Sequence, residues 1–179
     1  MREYFKQAAK EVKNIRSITG AALLGALSPV LNLLTITINQ FLQISFTSLT
    51  HAMCGYLYGP VMACLVGGFV DIMKYMIKPT GAFFIGFTIN EMLVGLIYGL
   101  MFYKKKITWR RVIVARLIVT IGINLLLTPL WLSIMYGKAY TVMVSVRIVK
   151  NIIMMPIDMS ILYTLLKFGE KNIKPKMVK

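Results

Sequence analysis

Acidic residues are scarce in this chain: six Asp and Glu stand against 21 Lys and Arg in 179 residues. Histidine occurs once, at His51, and cysteine twice, at Cys54 and Cys64. No second histidine exists to build a metal site around His51, and no Gly-x-Ser-x-Gly elbow is present. An enzyme working inside a membrane would need one of those, so the enzyme reading lacks machinery. Both cysteines lie within apolar stretches, which reads as packing rather than a disulfide framework. A glycine-rich phosphate loop with its lysine is missing, so the chain is not expected to hydrolyse ATP itself. Only 15% of residues are charged, too few to coat a soluble body of this size. Internal repeats, low-complexity tracts and domain linkers are also lacking, and no paired broken helices suggest a self-sufficient secondary transporter.

What is abundant is apolar: 58% of residues are hydrophobic and mean hydropathy is +0.71. The surplus needs lipid. A net charge of +15 raises nucleic-acid binding, but position argues otherwise. The basic residues cluster at Arg2, Lys6, Lys10, Lys13 and Arg16, at Lys104, Lys105, Lys106, Arg110 and Arg111, and at Lys167, Lys171, Lys174, Lys176 and Lys179. These clusters flank apolar runs, as cytoplasmic segments of membrane proteins do, rather than lining one face.

A helix needs roughly 20 apolar residues to cross a hydrocarbon core of about 30 Å. Runs meeting or approaching this lie at 17–38, 41–58, 60–77, 83–103, 112–135 and 140–168. The expectation is an all-α membrane protein, a six-transmembrane-helix bundle with amino and carboxyl termini both cytoplasmic. One domain fills the chain: an amphipathic cytoplasmic helix within 1–16, the bundle at 17–168, and a basic cytoplasmic tail at 169–179. The amphipathic start would sit on anionic lipid headgroups. Gly59-Pro60 marks a tight turn, and the outer loops hold only Lys78 and Lys138.

Charges at membrane depth cost at least about 2.5 kcal/mol each and usually face a cavity or a partner. The third run carries Asp71, Lys74, Tyr75 and Lys78 on one face near its outer end. The fourth carries Asn90 and Glu91, and the sixth carries Arg147, Lys150 and Asn151. Three helices thus bring polar groups to a similar outer depth, with Asp158 the main exception below. Buried ion pairs such as Asp71 with Arg147 would explain part of this. Surplus positive charge in a wet pocket instead calls for an anionic ligand. Arg147 suits a carboxylate through its planar fork, and Asp71 or Glu91 suits a heterocycle with adjacent N–H donors. The loop from Lys78 to Phe87 sets Phe83, Phe84 and Phe87 among Gly81 and Gly86, fit for stacking on a flat ring or for interfacial anchoring. His51, Trp131 and Tyr136 are candidates to complete the pocket, or are packing and belt residues. On the first run, Ala22 and Ala26, like Ala21 and Gly25, are four apart. Small residues at this spacing let another helix approach, inside this bundle or from a partner.

Six spans in so short a chain, the Ala22-x-x-x-Ala26 pair and the outer polar layer resemble the substrate-binding S components of energy-coupling factor (ECF) vitamin transporters. The runs Lys78-Pro79-Thr80-Gly81-Ala82-Phe83-Phe84-Ile85-Gly86-Phe87-Thr88 and Arg147-Ile148-Val149-Lys150-Asn151-Ile152-Ile153-Met154-Met155-Pro156-Ile157-Asp158 resemble the folate-specific branch. That resemblance implies a high-affinity folate receptor in a bacterial plasma membrane, with no cofactor of its own. It implies partners as well: a transmembrane coupling subunit meeting Ala22 and Ala26, and two cytoplasmic ATPases that use the ATP. Folate combines a flat pterin ring with a carboxylate tail. Arg147, Lys150 and Lys74 are expected on the tail or other acceptors. Asn151, Asn90 and one of Asp71 or Glu91 are expected on the pterin, with Phe84 and Tyr75 stacking and Gly81 as a flexible point. Riboflavin or thiamine is the alternative cargo within the family.

Overall fold

The computed structural model describes residues 8, 11–33, 36–39, 42–44, 46–79, 82–137 and 140–172. The expected amphipathic start and basic tail fall largely outside them. Among the described residues the chain forms six helical rods and one short β-hairpin. Helix α1 spans Ile15–Leu33. Asn14 caps it, its side-chain oxygen accepting the Arg16 N–H at 3.1 Å, which satisfies a donor the helix start leaves without a partner.

One short hairpin interrupts the otherwise helical chain. Strands β1 (Ile36–Asn39) and β2 (Leu42–Ile44) pair antiparallel, with an irregular register between Thr37 and Asn39. They take up sequence assigned above to the end of the first span and the start of the second. Helix α2 accordingly covers only Ser48–Tyr58. Its 11 residues rise about 16 Å, short of the hydrocarbon thickness.

Gly59, at φ 91°, reverses the chain into α3 (Pro60–Ile77), whose first residue is proline. A positive φ suits glycine, and proline at the first helical position loses no helix bond. Helix α4 is Ile85–Phe102. It lies so close to α3 that a Cβ at Gly67 would sit 2.5 Å from the Glu91 carbonyl oxygen. Only hydrogen at that position lets the two backbones approach and bring the polar faces of α3 and α4 together.

Helix α5 runs Trp109–Tyr136. Its middle, Val119–Leu127, is wound as a π-helix, a rare form that often marks functional positions. The Thr128 N–H and its hydroxyl both reach back to the Ile123 carbonyl. Pro129 has no N–H to give the Leu125 carbonyl, and the Tyr140 hydroxyl donates there instead, at 3.3 Å. Gly137 in the left-handed region closes the helix. Helix α6, Tyr140–Asn172, continues four residues past the span expected from sequence.

Helices α3, α4 and α5 are each long and apolar enough to cross a membrane. Leu23, Leu65, Phe69, Met76, Ile121 and Ile152 point out of the bundle, as lipid-facing side chains do. Toward the end that carries Lys104–Lys106 the interior is solid: Tyr56, Tyr98, Phe102, Val112, Leu162 and Leu166 pack with almost no exposure. The opposite half is hollow.

Candidate functional site

A cavity of about 310 Å³ occupies that half, at the lower end of the range for small-molecule pockets. Of the residues singled out from sequence, Asp71, Lys74, Tyr75, Phe84, Asn90, Glu91, Arg147 and Asn151 all line it. Gly81 and the Lys150 side chain lie outside what is described. Ala22 and Ala26 are on the outer surface of α1, away from the cavity, while Ala21 and Gly25 face inward.

On α3 the spacing of Asp71, Lys74, Tyr75 and Lys78 places all four on the cavity side, as positions three and four apart share a helix face. Asp71 accepts a hydrogen bond from the Thr88 hydroxyl of α4 at 2.8 Å. The Lys74 ammonium donates to one oxygen of Glu91 at 2.6 Å. The other Glu91 oxygen lies 2.9 Å from Nε2 of His51, which is fully buried in α2. Glu91 is therefore engaged on both oxygens and ties α2, α3 and α4 together. This corrects the Asp71–Arg147 pairing considered above: the pair that forms is Lys74–Glu91, with His51 as third member. Of the two carboxylates, Asp71 is the one opposed by a neutral partner.

Asn90 holds the aromatic wall. Its amide nitrogen donates to the Thr128 hydroxyl at 3.2 Å, and its oxygen accepts the Trp131 indole N–H at 3.1 Å. Trp131 in turn tilts against Phe84, ring centres 5.6 Å apart. Tyr75 meets Phe83 edge-on at 5.1 Å. The cavity thus has aromatic side chains at its rim: Tyr75, Phe83, Phe84, Phe87 and Tyr136. Trp131 braces this wall from behind, and His51 braces Glu91. Neither lines the cavity itself.

From α6 come Arg147, half-buried, and Asn151, buried and four residues further along the same face. Among the described residues the Asn151 amide nitrogen has no hydrogen-bond partner, a costly arrangement for a buried donor and a natural one for a ligand contact.

Arg116 of α5 escaped the sequence reading. It lines the deep end of the cavity, 8% exposed, and pairs with Asp158 of α6. It also donates to the Tyr98 hydroxyl at 3.1 Å and the Ser48 hydroxyl at 3.4 Å. The signal was an arginine seven residues past the start of α5, easily merged with Arg110 and Arg111 as basic flank. Charges on the lining are Asp71, Glu91 and Asp158 against Lys74, Lys78, Arg116 and Arg147. Cations are in excess.

A helical bundle with membrane-capable helices and a polar, aromatic-rimmed cavity defines a membrane-embedded binding protein for a small, partly anionic molecule. More particularly, the chain belongs to the family of ECF transporter substrate-specific components, whose model matches residues 16–166. It is similar to the Folate transporter FolT of Clostridium novyi (strain NT), 40% identical over 122 residues, covering 68% of this chain and 71% of that one. It is also similar to the Folate transporter FolT of Leuconostoc mesenteroides, 38% identical over 151 residues and 81% of each chain. The crystal structure of FolT bound with folic acid superposes with a TM-score of 0.80 at 37% identity, covering 85% of this chain and 94% of that one.

Proposed function

We propose that this chain is the folate-capturing subunit of an ECF-type transporter in a cell's plasma membrane. It acts as one domain that crosses the membrane six times with both termini cytoplasmic. The basic clusters then lie on the cytoplasmic side, following the charge bias of membrane insertion, and the cavity faces outward. The observation that carries the reading is the convergence of Asp71, Asn151 and Arg147 with an aromatic rim on one cavity with excess positive charge. Folate offers what such a cavity can bind: a flat ring with adjacent N–H donors and a tail with two carboxylates.

In this reading Arg147 takes a tail carboxylate as a fork, with Lys150 and Lys78 adding positive charge. Lys74 acts chiefly by holding Glu91. Asp71 accepts from the ring's 2-amino and N3–H groups, Asn90 and Asn151 complete the polar contacts, and Phe84 and Tyr75 stack on the ring. The ATP-driven step belongs to partner subunits: two cytoplasmic ATPases and a transmembrane coupling subunit that docks on Ala22 and Ala26.

Calorimetric titration of the detergent-solubilised chain with water-soluble vitamins tests this. Folate and its 5-formyl derivative are expected to bind tightly, at one site per chain, while riboflavin and thiamine give no heat. Binding of either of those in preference to folate would reassign the cargo.

A further inference from the structure

We infer that Arg116 is a ligand-contact residue, one that makes the deep end of the cavity selective for a ring presenting acceptors beside its N–H donors. The inference rests on the folate reading above and extends it to a position that reading leaves unused. Arg116 has five N–H donors. Its terminal nitrogens are committed to Asp158, Tyr98 and Ser48, which ties α2, α4, α5 and α6 together and fixes the guanidinium plane. Its Nε is different: it is buried and, among the described residues, has no hydrogen-bond partner. The amide nitrogen of Asn151, also buried, shares that condition. Both side chains line the same cavity.

Two buried donors without acceptors, one of them charged, are rare in a folded interior. Each needs an acceptor that a bound ring can supply. The pterin ring has two such acceptors, its 4-oxo oxygen beside N5, next to the 2-amino and N3–H edge that suits Asp71. Nε, its plane fixed by the contacts of the terminal nitrogens, has one charge-assisted hydrogen bond to give such an acceptor. The ion pair with Asp158 keeps the charge from being isolated in the interior, so the contact selects for acceptors more than for ligand charge.

The 4-amino analogue of folic acid tests this when compared between wild type and variant: it replaces the 4-oxo acceptor by a donor, removes the N3–H that Asp71 accepts, and keeps the tail. Wild-type protein should bind folic acid about 10- to 100-fold more tightly than the analogue, the scale of a mismatched bond to a charged group. Arg116→Lys keeps a charge for Asp158 but loses the Nε donor. It should weaken folic acid binding by about the same factor and lower the ratio of the two ligands, leaving only the share that Asp71 contributes through N3–H. If Arg116→Lys does not fold, by circular dichroism and size-exclusion profile, the double variant Arg116→Gln with Asp158→Asn takes its place, with the same expectation. Equal wild-type affinities for the two ligands would overturn the inference with no variant needed. So would a folded variant whose ratio matches wild type, which would leave Arg116 a purely structural tie. Failure of wild type to bind folic acid at all would instead overturn the functional reading.

Discussion

Arg147→Ala is expected to weaken folate binding by about 2–5 kcal/mol, the usual consequence of removing one member of a buried charge contact. Arg147 lines the cavity from α6, four residues before Asn151 and on the same face. A planar guanidinium suits a carboxylate because it can give two parallel hydrogen bonds. Arg147→Lys should recover only part of the loss, because an ammonium supplies charge without the fork. The ligand gives a second handle. Pteroic acid, which is folate without its glutamate, should bind wild type and Arg147→Ala with similar affinity. Unchanged folate affinity in a folded Arg147→Ala protein would remove the residue from the site.

Replacing Ala22 by tryptophan is expected to abolish folate uptake and co-purification with the coupling subunit. Folate binding by the isolated chain should stay within about twofold, as for a surface change away from the site. The basis is the split of α1 into two small-residue faces. Ala22 and Ala26 are exposed, whereas Ala21 is buried and Gly25 is packed so closely that a Cβ there would lie 3.2 Å from Val66 and 3.4 Å from Val70. One face serves this bundle, and the other offers a flat surface to a second helix. Ala21→Trp is the internal control: it should destabilise the isolated chain by overpacking, by about 1–3 kcal/mol or more, where Ala22→Trp does not. Co-purification of an intact complex from the Ala22→Trp protein would move the docking surface elsewhere.

The spacing of Asp71, Lys74, Tyr75 and Lys78 was readable because helical periodicity alone decides which residues share a face. Their meeting with Asn90, Glu91, Arg147 and Asn151 was readable because lipid leaves a charged side chain few places to point. Partner choice was not readable. Glu91 could have met Arg147, and it is the close approach of α3 and α4 at Gly67, together with His51 on a short α2, that gives it to Lys74 instead. The hairpin was missed for a local reason. Ile36-Thr37-Ile38-Asn39 alternates as a strand should, but it directly continues an apolar helical run, and that run absorbed it. The π-wound stretch of α5 has no sequence signature beyond Pro129, and Arg116 was masked by the basic residues that precede it.

Capture of folate by this chain requires a wet hollow that outside molecules can enter and folate fills. Met154 lines it on α6, between Asn151 and Asp158, and carries no proposed ligand contact. In a chain with Cys54 and Cys64 replaced by alanine, Met154→Cys should react with a membrane-impermeant maleimide added outside intact cells. Saturating folate should block that reaction almost completely. Labelling only after permeabilisation, or labelling that proceeds at the same rate with folate present, would contradict it.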